Sequence, residues 1–331
     1  MNNTIIIYTL LVFLSLYSCA IISYKLKLLD LPNKRKIHAK PTAFTGGLAI
    51  SASYLIAIQL FYITSKDLNL ILSIGFLVAI IGFIDDKYNL NTGGKLSLQI
   101  IPIFYLILYE NLSLHQIGDY DYFKLILGSF SIPFSLLCVL FLINAFNYID
   151  GIDGTLSFTS ISVLVILYFL TSDNNIQLFL ITILIPICVF IFFNFSFLNL
   201  PKLFLGDSGS LLLGFIISFT LIYFANQKIS HPILLAWSVS IFVYEFLSIN
   251  IIRLKNKKKL FVAGRDHLHH ILFKKTKSIF LTNLVIFFIN ITFFIIGFFS
   301  YRNINELFSL ILFILCFVLF FILRNKYSVK K

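Results

Sequence analysis

The sequence predicts an all-α polytopic membrane protein of about eleven transmembrane helices, N-terminus out and C-terminus in, forming a single integral membrane domain over residues 1–331. The first observation behind this is composition. The chain is 59% hydrophobic and only 12% charged, more apolar surface than a water-soluble domain can hide. The second is the grouping of the apolar residues. They fall in runs that cross a ~30 Å hydrocarbon layer as helices, at about 4–24, 47–64, 68–84, 97–110, 125–146, 155–171, 176–195, 209–226, 232–251, 279–299 and 305–323. The runs are continuous and do not alternate, which argues against a closed β-barrel. No gap between them holds a sizeable soluble domain.

The third observation is the placement of Lys and Arg, which sets orientation. With the N-terminus outside, 22 of the 26 basic residues lie inside and only Lys66, Lys124, Lys228 and Arg302 lie outside. The net charge of +12 reflects this bias and attraction to anionic membrane lipids. Nucleic acid is not implied, because the basic residues flank spans. The first run lacks the basic stretch that precedes a secretory signal. Cys19, Cys138, Cys188 and Cys316 all lie in apolar runs and read as packing residues.

The outer loops (65–67, 111–124, 171–175, 226–232 and 301–306) are plain and read as connectors. The inner loops, near 25–46, 85–96, 144–155, 196–209 and 252–278, hold seven of the fourteen acids and three of the six histidines in one tetrapeptide. An acid at a membrane boundary is costly unless solvated, paired or metal-bound.

Asp85-Asp86 ends the third run. The bland reading is a solvated helix end, but acids there oppose the helix dipole. Adjacent carboxylates are hard oxygen donors suited to Mg²⁺, or one serves as a base beside the other. Asn144, Asn147, Asp150 and Asp153 recur every third residue, which on a helix keeps them near one face. Gly151 and Gly154 would then break the backbone. A plain turn needs fewer polar residues than this. In Phe204-Leu205-Gly206-Asp207-Ser208-Gly209, Asp207 or Ser208 is expected to cap the eighth span, and a glycine-rich helix start also suits phosphate. His267, His269 and His270 resemble zinc ligands in type, but no cysteine is near and the surrounding carboxylates suit Mg²⁺ better. They are expected to contact phosphate or sugar, with Arg265 offering a fork to phosphate. Arg35, Lys36 and His38 in the first inner loop carry the same kind of chemistry.

These five loops, in this order, resemble the polyprenyl-phosphate N-acetylhexosamine-1-phosphate transferases from about Asp30 to His270. The resemblance implies an enzyme of the bacterial inner (cytoplasmic) membrane with its site on the cytoplasmic face and Mg²⁺ or Mn²⁺ as cofactor. It would transfer a sugar 1-phosphate, N-acetylglucosamine 1-phosphate first among the choices, from a UDP-N-acetylhexosamine to undecaprenyl phosphate. UMP would leave, and a cell-surface polysaccharide such as O-antigen or teichoic acid would be started. By motif, Asp85, Asp86, Asp207 and His267 are the implied catalytic residues, and Asp207 with Asp86 the metal ligands. Asn144, Asn147, Asp150, Asp153, Lys95, Arg265, His269, His270, Arg35, Lys36 and His38 are the implied substrate contacts. The form Arg265-Asp266-His267-Leu268-His269-His270 looks more like the N-acetylglucosamine branch than the muramoyl-pentapeptide branch, which has three consecutive histidines. A departure is Phe44-Thr45 before Gly46-Gly47, where relatives often carry a basic residue. The family also suggests a homodimer. The competing class is a transporter or lipid-phosphate carrier. Such proteins place polar groups mid-membrane on broken helices in repeated halves, whereas here Glu245 is the main buried charge and no repeat is visible.

Overall fold

The computed structural model describes residues 2–32, 40–61, 63, 65–257, 264 and 266–328. Its helices are α1 (Asn2–Lys25), α2 (Gly46–Phe61), α3 (Lys66–Tyr88), α4 (Thr92–Phe104), α5 (Ser131–Ile149), α6 (Thr155–Leu170), α7 (Asn174–Asn194), α8 (Gly206–Asn226), α9 (Pro232–Ser238), α10 (Ser240–Lys255), α11 (Leu268–Thr276), α12 (Ile279–Asn303) and α13 (Glu306–Ser328). Among the described residues, eight helices are long and apolar enough to cross a membrane, and nine if α9 and α10, bent by 71°, form one span. The predicted runs 47–64 and 155–171 fold as the 16-residue α2 and α6, about 24 Å each at 1.5 Å per residue.

Helix α8 is the centre, with 94% of its apolar window buried. It packs against α2, α3 and α5, and small residues let the backbones approach. A Cβ on Gly82 of α3 would sit 2.5 Å from the backbone of Asp207 and Ser208. On Gly47 of α2 it would strike the backbone of Gly209.

The bend between α9 and α10 has an identifiable cause. Asn290 of α12, fully buried, donates to the Ser238 carbonyl (2.9 Å) and to Ser162 Oγ (2.8 Å). It accepts from the Ile241 amide at 3.3 Å. One side chain thus serves the backbone groups that the break leaves open. Asn290→Leu would strand both, at about 1–3 kcal/mol each. Its thermal unfolding midpoint in detergent is expected to fall clearly, while Thr292→Val, on an exposed position of α12, should change it little.

The loop 111–124 is more than a connector. It includes a hairpin, β3 (Gln116–Asp119) with β4 (Lys124–Ile126), as β1 (Leu29–Asp30) and β2 (Thr42–Ala43) form one at the opposite end. Buried Tyr120 packs edge-on against His231 at 5.3 Å, and His231 Nε2 meets the Asp119 carbonyl at 3.1 Å.

Candidate active site

The described parts of the five acid-bearing loops, far apart in sequence, meet at one end of the bundle around the start of α8. The approach to α8 is tied to the first loop by Phe204 N donating to Ala43 O (2.7 Å) and Gly46 N to Phe204 O (3.0 Å). Gly206 has φ +70°, and a Cβ there would lie 2.5 Å from Asp86 Oδ2 and 2.6 Å from Phe44 O. Glycine is therefore required by conformation and by space. The room it leaves is used by Asp86. Its Oδ1 accepts from Asp207 N (2.9 Å) and its Oδ2 from Ser208 N (3.2 Å). Asp207 and Ser208 do not cap the helix as expected: the residue at the cap position is Leu205, with no side-chain bond, and the capping carboxylate comes from α3. This also explains an acid at the unfavourable end of α3, because it lies against the positive end of α8.

Asp207, in the first turn of α8, faces Lys95. The Lys95 ammonium pairs with Asp207 and, at 2.7 Å, with Asp85. Asn91 caps α4 through the Gly94 amide (2.7 Å) and so fixes the turn that carries Lys95. Asn147 Nδ2 donates to Asp207 Oδ1 and Ser210 Oγ, both at 2.8 Å. Asp85 is closed in, its side chain 8% exposed, whereas that of Asp207 is 31% exposed. Asp207 is thus the carboxylate of this pair with the more accessible side chain.

The Asn/Asp run divides. α5 ends at Ile149, so the shared helical face reaches only Asn144 and Asn147. Asn144 bonds back to Leu140 O at 2.7 Å. Asp150 and Asp153 lie in the following turn. Burial, then the nearby Asp207 and Asp153 carboxylates, push the Asp150 carboxyl up to about 7. Asp153 Oδ2 accepts from Lys202 at 2.6 Å, and its carbonyl from Asn283 at 2.7 Å. Gly154 does break the backbone, with φ +77°. Gly151 lies in the same non-helical stretch and also makes room, since a Cβ there would collide with the His269 ring.

That contact brings the histidine loop onto the Asn/Asp loop. His267 and His269 are 8% and 2% exposed, and their rings lie nearly parallel with centroids 5.4 Å apart. Burial, aided by neighbouring Arg253 and Arg324, takes His267 down to about 3. Burial and the adjoining histidines likewise lower His269 well below its ordinary value. Both rings are therefore neutral near pH 7, acting as single donors and acceptors rather than cations. His270 packs on His269 at 4.3 Å. Burial raises the Asp266 carboxyl, but its paired bonds to Arg253 (2.9 and 3.2 Å) outweigh this and hold it at about 2. Arg253 also lies over the Tyr148 ring at 5.6 Å.

Arg35, Lys36, His38 and Arg265 lie outside the described residues. Thr45 is buried and bonded to Ser23 at 2.7 Å. Lys202, Tyr148 and Arg253 are site neighbours that the sequence reading missed. The signal available was the need of Asp153 and Asp266 for partners at a membrane boundary.

Residues 68–225 match the model of glycosyl transferase family 4, a stretch holding Asp85, Asp86, Lys95, the Asn/Asp loop and Asp207. The match covers just under half of the chain. It is 28% identical over 289 residues to the undecaprenyl-phosphate alpha-N-acetylglucosaminyl 1-phosphate transferase of Yersinia pestis, covering 82% of this chain and 78% of the relative. The Escherichia coli (strain K12) protein of that description is 28% identical over 263 residues, 76% of this chain and 71% of the relative. A probable undecaprenyl-phosphate N-acetylglucosaminyl 1-phosphate transferase of Bacillus subtilis (strain 168) is 27% identical over 288 residues, 82% and 77%. These likenesses extend beyond the family 4 core. The histidine loop lies after the matched stretch and joins it through Gly151 and His269.

Proposed function

We propose that the chain transfers N-acetylglucosamine 1-phosphate from UDP-N-acetylglucosamine to undecaprenyl phosphate, releasing UMP, as the first membrane step of a cell-surface polysaccharide. The observation that carries this reading is the convergence of Asp85, Lys95, Asn147 and Asp207 at the start of α8. The relatives' names supply the lipid phosphate and the sugar phosphate. The reading includes eleven crossings with the N-terminus outside, which puts this end of the bundle at the cytoplasmic face of the bacterial inner membrane.

The reaction requires the lipid phosphate oxygen to attack the β-phosphorus of the nucleotide sugar. The bond from that phosphorus to the bridging oxygen breaks, and the oxygen leaves on UMP. A phosphate monoester with a second pKa near ~6 is mostly dianionic at pH 7, so the nucleophile need not lose a proton. What the protein must provide is alignment and charge neutralisation. Lys95, held between Asp85 and Asp207, supplies a fixed positive charge beside the reacting phosphates. Asn147 orients Asp207. The start of α8 adds its dipole to the stabilisation of the departing phosphate. The neutral rings of the histidine loop suit hydrogen bonds to sugar and diphosphate.

The donor chemistry also fits Mg²⁺. Among the described residues, no group of three or more His, Cys, Asp or Glu side chains forms a metal cage. Mg²⁺ needs none, since it is commonly held by one or two carboxylates with water and substrate phosphates. Asp207, open to the site, and Asp86, whose oxygens keep lone pairs beyond their backbone bonds, would hold it. Mn²⁺ shares that oxygen preference. The bound ion would neutralise diphosphate charge.

The test is UMP release by purified protein in detergent, given undecaprenyl phosphate and a panel of UDP-sugars with Mg²⁺ or EDTA. Release that needs the lipid, the metal and UDP-N-acetylglucosamine is expected. Release with another sugar would change the donor, and none from folded protein with any sugar would overturn the reading.

A further inference from the structure

Below the histidine loop lies a buried charge pair that the chemistry described so far does not use. Glu245 of α10 is 1% exposed and Arg324 of α13 is 4% exposed. Arg324 donates to both carboxylate oxygens of Glu245, at 2.8 and 3.0 Å. A buried pair is costly to assemble compared with apolar packing, so its further bonds matter. Two of them point to one place. Glu245 Oε1 also accepts the Leu268 amide at 2.9 Å, and Arg324 Nη2 donates to the Asp266 carbonyl. These atoms flank His267 on both sides.

The need for such help is local. His267 occupies the cap position of α11 but makes no side-chain capping bond, so the first amide of this nine-residue helix, that of Leu268, takes its acceptor from outside. Glu245 takes that part from another helix. Arg324 takes the carbonyl one residue before His267, while Arg253 grips the Asp266 side chain. The loop is thus held through the backbone on both sides of His267 and through the Asp266 side chain.

We propose that Glu245 and Arg324 are positioning residues that set the histidine loop against the Asn/Asp loop, making the end of α13 part of the active-site support. This rests on the proposed function only for its effect on turnover; the placement of the loop is testable without it. Arg324 lies 99 positions after the family 4 match ends at residue 225. A helix whose span window is only 6% buried would thereby control a site through its last turns.

Two readouts on the full-length protein keep these apart. The first is carbethoxylation by diethylpyrocarbonate, followed at each histidine by mass spectrometry. In Arg324→Gln, labelling of His267 and His269 is expected to rise about tenfold through local opening, with His115 and His231 at the other end unchanged. The second is UMP release. The KM for the UDP-sugar is expected to rise, with kcat/KM down about 100-fold for a displacement of ångström scale and the KM for undecaprenyl phosphate within about twofold.

Arg324→Lys keeps the charge and loses the fork, and is expected to fall between wild type and Arg324→Gln in both readouts. It decides the matter if Arg324→Gln labels at every histidine and is therefore unfolded. Wild-type labelling and kinetics in folded Arg324→Gln would overturn the proposal, as would wild-type behaviour of Arg324→Lys where the Gln variant is unfolded. Selective labelling with no UMP release even from wild type would uphold the positioning and reject the proposed reaction.

Discussion

Asp207→Asn is expected to lower UMP release by at least about 10²–10³-fold, the scale of removing one preorganised electrostatic group from a reacting centre, while the protein stays folded. The substitution is nearly isosteric. An amide oxygen at 207 still accepts from Asn147, and Lys95 keeps its 2.7 Å pair with Asp85. The Asp86 cap on α8 uses the backbone amide of residue 207, which the change leaves alone. Stability is therefore largely preserved, and the loss belongs to the chemistry. Lys95→Met is expected to be similarly damaging. The double variant should be scarcely worse than the worse single, because the two side chains act as one unit. Fully additive losses would show that they act separately, and near-normal turnover of Asp207→Asn would remove Asp207 from the site.

The second large effect lies in the packing that carries the site. Gly82→Ala would place a methyl 2.5 Å from the carbonyl carbon and oxygen of Asp207 and the Cα of Ser208. All of these are backbone atoms, so no side chain can swing aside. Helices α3 and α8 would have to separate, pulling Asp86 from the α8 amides. A loss at the upper end of the ~1–3 kcal/mol overpacking range or beyond is expected, together with loss of activity. Gly75→Ala on the same helix is the control. Its Cβ would meet only the side chains of Leu212 and Ile216, at 3.1–3.2 Å, and these can yield. A Gly82→Ala protein as thermally stable and active as Gly75→Ala would refute the account.

The helices were legible because lipid forces the backbone to satisfy itself, so each apolar run had one local solution. The bend between α9 and α10 was not legible, since Asn290, which stabilises it, lies on another helix and reads in isolation as one polar residue in a span. The hairpin of β3 and β4 was hidden for a similar reason. Its anchor, His231, is 112 positions from Asp119. At the site, the acids stood out by their cost at a membrane boundary, and Glu245 by its cost inside one. Their partners did not. Nothing near Asp86 announces that it caps a helix 121 positions away. Spacing misled where it assumed that α5 continued: three-residue periodicity is a helical argument, and the helix stops at Ile149. At Gly151 the sequence showed the break but not the second constraint, the ring of His269.

Burial of α8 on nearly every side separates two rates of change. Its amino end carries the aspartate proposed to meet the donor's diphosphate, and its surroundings admit almost no new side-chain volume. The histidine loop hangs instead on α10 and α13, nearer the rim. Divergence in donor preference should accumulate there, over a phosphate-handling centre that stays fixed. Exchanging residues 252–278 between relatives of different sugar preference should then carry the preference with it, and the exchanged proteins should keep a common lipid acceptor.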